Sequence, residues 1–278
     1  MKQPHKPFVF FGTPEVAART LAALLAAGFT PTAIVTNPDA PQGRGLALKP
    51  SPVRVLADAH HLPVLTPALL DEETQGTISA LGASYAVVVA YGKIFPEALI
   101  DAFPLGVLNV HYSLLPKYRG ATPLESALLN GETETGVTIQ KMVRELDAGD
   151  IIAQARRAID PDDTARELRP RLVEAGAQLL VTTLPNFEQD LLTPVPQDPS
   201  QAIHARKFKK EDGCLDLAAS AQENWNKYRA YADTIGTHFF TSQGKRVKIT
   251  KASLQKGLFV IERVIPEGKR EMPFTPQT

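Results

Sequence analysis

Four short apolar runs, FVFF (8–11), TAIV (32–35), ASYAVVVAY (83–91) and GVLNVHY (106–112), are separated by stretches of helical spacing. That alternation constrains the fold more than anything else in the chain. Strands covered by helices on both faces read as continuous apolar runs, and crossover helices are what join parallel strands. Between the first two runs, VAARTLAALLAA predicts a helix, with Thr13 suited to the N-cap, Pro14 to the first helical position and Gly28 to the stop. Further helical patterns fall around 52–60, 68–81 and 95–100. The expected fold is α/β with a doubly wound, mostly parallel sheet.

Past residue 120 the pattern changes. ATPLESALLNG predicts a helix with a glycine stop, and TGVTIQKMV (135–143) with DIIAQARRAI (150–159) predicts an antiparallel hairpin on the sheet edge. Residues 163–184 read as helical, with Pro170 marking a kink or boundary. TPVPQDPSQ (193–201) reads as a proline-rich connector. The expected organisation is therefore a body over 1–192, a linker over 193–202 and a module over 203–278. That module has a helical patch at 220–231 and strands near 236–241, 246–252 and 257–264, so it is mostly β.

Several function classes are excluded or disfavoured at this level. The N-terminal MKQPHKPFVFFG lacks a signal-peptide pattern, and the sequence has no apolar run of spanning length. The lone Cys214 fits a reducing compartment, so a cytoplasmic location is expected, and no metal site is. FFGTPEVA is not G-x-G-x-x-G, so a nicotinamide dinucleotide is a poor match to the first turn. The net charge of zero hides an asymmetry: residues 1–202 carry 16 Lys+Arg against 22 Asp+Glu, and residues 203–278 carry 14 against 8. A basic tail on an acidic body favours an anionic partner, nucleic acid first among them.

The chemistry concentrates where GVLNVHY becomes polar. Ligands of an open parallel sheet bind beyond the carboxyl ends of its strands, and Asn109 and His111, two apart, share one face there. An amide donates to a developing oxyanion, and an imidazole exchanges protons near neutral pH. In VRELDAGDII (143–152), Asp147 and Asp150 flank a glycine turn, and a carboxylate beside His111 would fix its tautomer. On the residues alone, a satisfied polar pair and ordinary turn chemistry remain equally open readings.

NVHYSLLPKYRG (109–120), followed by LDAGD, resembles the formyltransferase family that uses 10-formyltetrahydrofolate, and more narrowly its methionyl-tRNA branch. FGTPE, NPDAPQGRG, SPV, VVVAYGKIFP and TGVTIQKM extend the resemblance over nearly the whole chain. It implies a Rossmann-like body with an OB-like C-terminal module. It also implies transfer of the formyl group of 10-formyltetrahydrofolate, a co-substrate, to the α-amine of methionyl-initiator tRNA by a monomer that needs no metal. The family's asparagine, histidine and aspartate fall on Asn109, His111 and Asp147. Its folate-contacting turn falls on Ser113, Leu114, Leu115 and Pro116, with Val89 and Tyr91 on the second wall of that pocket.

The 16 residues 37–52, with four prolines and two glycines, match the loop that the family inserts toward the tRNA acceptor end. They carry Arg44 and Lys49 as tRNA-binding candidates, and Lys117 and Arg119 are further candidates for phosphate contacts. Four departures from the family pattern stand out. Ala40 replaces a usual basic residue, Glu145 a usual glycine and ADTIG (232–236) a proline–tryptophan–proline segment, and the C-terminal module is short of strands. Within the same chemistry the alternatives are another amine acceptor, an amino sugar or glycinamide ribonucleotide, or hydrolysis of the formylfolate. A non-catalytic RNA-binding relative is the alternative from another class.

Overall fold

The structure is a computed structural model that describes residues 5–42 and 47–275. β1 (Phe8–Gly12) leads through α1 (Glu15–Ala26) to β2 (Ala33–Val35), then to a small hairpin, β3 (Ala40–Gln42) and β4 (Ala47–Lys49). α2 (Pro52–Ala59), β5 (Val64–Leu65), α3 (Glu72–Ser79), β6 (Tyr85–Val89), α4 (Glu97–Asp101) and β7 (Val107–His111) follow. Next come β8 (Arg119–Gly120), α5 (Pro123–Leu129), β9 (Glu134–Lys141), β10 (Ile151–Ala158) and α6 (Ala165–Glu188). The remaining elements are β11 (His204–Ala205), α7 (Ala221–Tyr231), β12 (Thr237–Phe240), β13 (Arg246–Gln255), β14 (Leu258–Pro266) and β15 (Met272–Pro273).

The main sheet has seven strands in the order β10-β9-β7-β6-β1-β2-β5. β1 is parallel to β2 and β6, β2 to β5, and β6 to β7, while β9 runs antiparallel to β7. The chain thus winds outward from β1 in both directions, as the alternating apolar runs predict. The order reverses between β1 and β6, and a crevice at their carboxyl ends is the usual ligand position in such a sheet. Every residue of β1 and β6 is buried. Phe11 packs edge-on against Tyr91, Phe95 and Phe103, and with Ile78 and Leu99 these rings form one core of the sheet.

Three local details are set by the fold. Pro14, in extended conformation, occupies the N-cap of α1, and Thr13 instead accepts a hydrogen bond from the Asn37 backbone. α6 continues through Pro170, which does not end the helix, and the flanking Leu168 and Leu172 are fully buried. Burial of that apolar face outweighs the one lost N–H bond. The 37–52 stretch is not structureless: Ala40 pairs with Lys49 and Pro41 with Leu48 in the β3–β4 hairpin.

The chain divides into two compact units, one of residues 1–117, 136–155 and 172–202, the other of 118–135, 156–171 and 203–278. The second unit is therefore larger than the module expected at 203–278. Trp225 Nε1 donates to the Pro161 carbonyl, and Arg229 to that of Leu128, so α7 is tied to both upstream segments. Its four-stranded sheet, β12-β13-β14-β15, is antiparallel throughout. Trp225 and Tyr228 of α7 cover its apolar face of Phe239, Val247, Ile249 and Val264. Among the described residues this is a small antiparallel sheet in place of a full OB-like barrel.

The expected connector 193–202 is also anchored rather than free. Val195 exchanges both backbone hydrogen bonds with Ile151, at 2.8 and 2.9 Å, and Gln197 reaches the turn that follows β9.

Candidate active site

β7 delivers the polar pair as the sequence predicts. In its ladder with β9, Asn109 faces Gln140 and His111 faces Thr138. Directly opposed residues of an antiparallel pair lie on the same face, so these four side chains form one polar patch at the carboxyl end of β7. His111 is buried, with its ring nitrogen Nδ1 3.5 Å from Asp147 Oδ2. Asp147 Oδ1 accepts from Gln140 Nε2 at 2.8 Å and from Asn109 Nδ2 at 3.3 Å.

The turn carrying Asp147 is shaped by two features of LDAGD. Asp147 has φ +50°, a left-handed conformation that Asp tolerates better than most residues. A Cβ at Gly149 would fall on the Lys141 carbonyl oxygen, so only glycine lets the turn lie this close to β9. Gln197 Nε2 then pins the turn from outside, donating to the carbonyls of Asp147 (2.9 Å) and Gly149 (2.7 Å).

The Ser113–Pro116 turn is built around Thr138. Its hydroxyl donates to the Ser113 carbonyl at 2.7 Å, and accepts from the Leu115 N–H at 3.1 Å and from Gln154 Nε2 at 2.9 Å. A hydroxyl has one donor and two acceptor sites, and all three are used. Ser113 Oγ donates to the Lys117 carbonyl at 2.6 Å, closing the turn on itself. Leu115 is buried, while Leu114 and Pro116 are half-buried and form the turn's apolar outer surface.

Val89 ends β6, and both it and Tyr91 turn their side chains into the core, so any ligand contact there falls to the backbone. The Tyr91 carbonyl accepts from Asn37 Nδ2 at 3.2 Å. Burial pushes the Tyr91 hydroxyl up to about 12. Lys93 Nζ lies 5.6 Å from the Tyr91 ring centroid and donates to the carbonyls of Pro67 and Ala68; burial lowers its pKa.

The basic candidates separate. Lys49 is exposed on β4 and Lys117 on its turn, whereas Arg119 is buried in β8 and presents no surface cation. Arg44 lies outside the described residues. Glu145 is exposed at the start of the Asp147 turn, and Ala40 is exposed on β3.

Gln140, Gln197 and Thr138 were not singled out by the sequence. Thr138 and Gln140 do carry a signal, being polar residues two apart that alternate with the apolar Val137 and Ile139. Gln197 carries none, sitting in a proline-rich stretch that reads as a connector.

Comparison with known proteins bears on what this constellation is for. Residues 6–184 match the family model described as formyl transferase, and residues 207–262 that of the formyl transferase C-terminal domain. Methionyl-tRNA formyltransferase of Synechococcus sp. (strain JA-3-3Ab) is 45% identical over 249 residues, covering 88% of this chain and 76% of that protein. The Koribacter versatilis (strain Ellin345) methionyl-tRNA formyltransferase is 43% identical over 263 residues, covering 91% and 83%. Among solved structures, the Helicobacter canadensis N-formyltransferase in complex with folinic acid and dTDP-3-aminofucose has a TM-score of 0.68 at 20% identity, covering 90% of this chain and 88% of its own. The sugar 3N-formyl transferase WlaRD reaches 0.70 at 17%, covering 96% and 100%, again a likeness of fold. With both family models matched in order and a methionyl-tRNA formyltransferase 45% identical over most of its length, this chain is a member of the formyl transferase family.

Proposed function

We propose that the chain transfers the formyl group of 10-formyltetrahydrofolate to the α-amine of methionyl-tRNA. The observation that carries this reading is the Asn109–His111–Asp147 cluster beyond β7, in a chain 45% identical to a methionyl-tRNA formyltransferase. An α-amine titrates at roughly 7.7–8.0, so an appreciable fraction is already neutral near pH 7. Such a nucleophile needs placement, a stabilised oxyanion and a route for its departing proton, more than it needs a strong base.

Asn109 Nδ2 and, in the protonated ring, His111 Nε2 supply donors for the formyl oxygen as it takes negative charge in the tetrahedral state. Asp147 faces Nδ1 of His111; it sets the tautomer, so contact with substrate falls to Nε2, and it accepts the amine's proton directly or through water before a proton passes to the folate N10 as the formyl C–N10 bond breaks. The folate ring system fits against the half-buried Leu114 and Pro116 on one side and the backbone of Val89–Tyr91 on the other. This pairing of an apolar wall with backbone donors and acceptors suits a flat ring bearing polar edges. The β3–β4 hairpin with Lys49, Arg44 between its strands in sequence, and the basic surface of residues 203–278 supply contacts for tRNA phosphates.

The test is an acceptor panel. Purified protein and 10-formyltetrahydrofolate are combined with methionyl-tRNA, free methionine, an amino sugar nucleotide or glycinamide ribonucleotide, and formylated product is measured. The reading expects kcat/KM for methionyl-tRNA to exceed every other acceptor by orders of magnitude. Preference for a sugar amine, or water as the acceptor, would reassign the substrate.

A further inference from the structure

Gln140 is almost completely buried on β9, opposite Asn109. Its Nε2 donates to Asp147 Oδ1 at 2.8 Å, a closer contact than the 3.3 Å from Asn109 to the same oxygen. The other half of the amide, Oε1, is buried with no hydrogen-bond partner among the described residues. Turning the amide over would set an acceptor against an acceptor, so the carboxylate fixes its orientation. A buried acceptor left unpaired costs stability, and an apolar side chain of similar volume at this position would carry no such cost. Stability alone therefore gives no reason for an amide at 140. A donor for Asp147 does.

We infer that Gln140 is a positioning residue of the formyl-transfer site. Asn109 has two tasks: in the structure its amide donates to Asp147, and in the reaction it must donate to the formyl oxygen. Gln140 shares the first task. With its shorter bond in place, Asn109 turns from carboxylate to substrate while Asp147 keeps a donor and its orientation toward His111. The inference rests on the proposed formyl transfer for the roles of Asn109 and Asp147, and adds to it the residue that allows one amide to change partners.

The experiment uses the full-length chain with Gln140→Met and Gln140→Leu, alone and combined with Asp147→Asn. Turnover is measured on whichever acceptor of the panel reacts, so the parent reading is tested by the wild-type rates and this inference by the variant-to-wild-type ratio. The expected result is a kcat lower by about tenfold, the scale of a hydrogen bond to a charged group. KM for both substrates stays within about twofold, and Tm changes little, because the lost bond to Asp147 is offset by removal of the unpaired acceptor. In the Asp147→Asn background the same substitution costs less than about twofold, since residues acting through one contact are not additive. Unchanged kcat in both variants would overturn the inference. So would a full tenfold loss repeated in the Asp147→Asn background, or loss of fold in both variants, which would make 140 a purely structural position.

Discussion

Nδ1 of His111 stands 3.5 Å from Oδ2 of Asp147, although one residue ends a strand and the other sits in a turn beyond the neighbouring strand. Three separate devices bring them together: the β7–β9 register, the glycine at 149 that lets the turn lie on β9, and Gln197 pinning that turn by two carbonyls. Of the two imidazole nitrogens, the carboxylate faces Nδ1. That arrangement suits a histidine whose other nitrogen handles the reacting oxygen or a proton.

His111→Ala and Asp147→Asn are each expected to lower kcat by at least about a hundredfold, the usual scale for acid–base groups. Asparagine is the right replacement at 147 because it also tolerates the left-handed φ of +50°. The loss then reports the missing charge rather than a displaced turn. Folate affinity, measured by fluorescence titration, should move only a few-fold. Near-normal turnover in either variant would remove that residue from the mechanism.

Gly149→Ala tests the turn instead of the carboxylate. The new Cβ meets the Lys141 carbonyl, so the turn must lift, and with it Asp147 and the two Gln197 bonds. Turnover should fall by at least about tenfold, and Tm should drop with the strain and lost hydrogen bonds, each worth roughly 1 kcal/mol. Gly76→Ala is the control: this glycine lies in α3 with open space around its Cβ position. Alanine there is expected to add roughly 0.5–1 kcal/mol of stability and leave turnover unchanged. Equal behaviour of the two variants would count against the close approach at 149.

Much of this was legible in the chain. The alternation of apolar runs gives the sheet because strands buried on both faces have no polar side to show. The Asn109–His111 pair is legible for the same reason, being the polar interruption at the end of such a strand. What stayed hidden depends on which strands become neighbours. Gln140 matters only because β9 pairs with β7 in the register that opposes it to Asn109, a tertiary fact that no local pattern encodes. The same applies to the segments 118–135 and 156–171, which join residues 203–278 through contacts such as Trp225 to Pro161. Pro170 was legible as a boundary inside a helix: α6 continues through it, and the division between the two compact units falls at residues 171 and 172.

If the folate lies between the Ser113–Pro116 turn and the end of β6, a reduced folate should slow amide exchange in both segments. Hydrogen–deuterium exchange of residues 86–95 and 113–117, with and without 5-formyltetrahydrofolate, reads this directly. NAD should protect neither. A Cβ at Gly12 would lie 2.6 Å from the Ala17 Cβ, so helix–strand packing accounts for that glycine. Protection by NAD at Gly12, or folate protection confined to other segments, would displace the proposed pocket.

The basic surface of residues 203–278 should reveal itself through salt. Each phosphate neutralised contributes close to one unit of slope in log affinity against log salt, by analogy with B-DNA, so a few contacts give a slope of roughly −2 to −5. Removing residues 203–278 is a poor test, since α7 is tied to Pro161 and Leu128 and its loss would expose their apolar surroundings. Charge neutralisation keeps the fold. Lys245, Lys248, Lys269 and Arg270 are all exposed, and none of them shares an ion pair with an acidic residue among the described contacts, unlike Lys251 with Glu262 at 2.7 Å. Changing all four to glutamine is expected to flatten the slope by about one unit for each residue that meets a phosphate. A small acceptor at high concentration should still be formylated at the wild-type rate, since none of the four belongs to the unit that carries His111. Arg44→Ala should differ in kind, lowering kcat as well as affinity, because a residue that places the acceptor end acts on orientation. An unchanged slope in the fourfold variant would shift tRNA recognition to the β3–β4 hairpin and its Lys49.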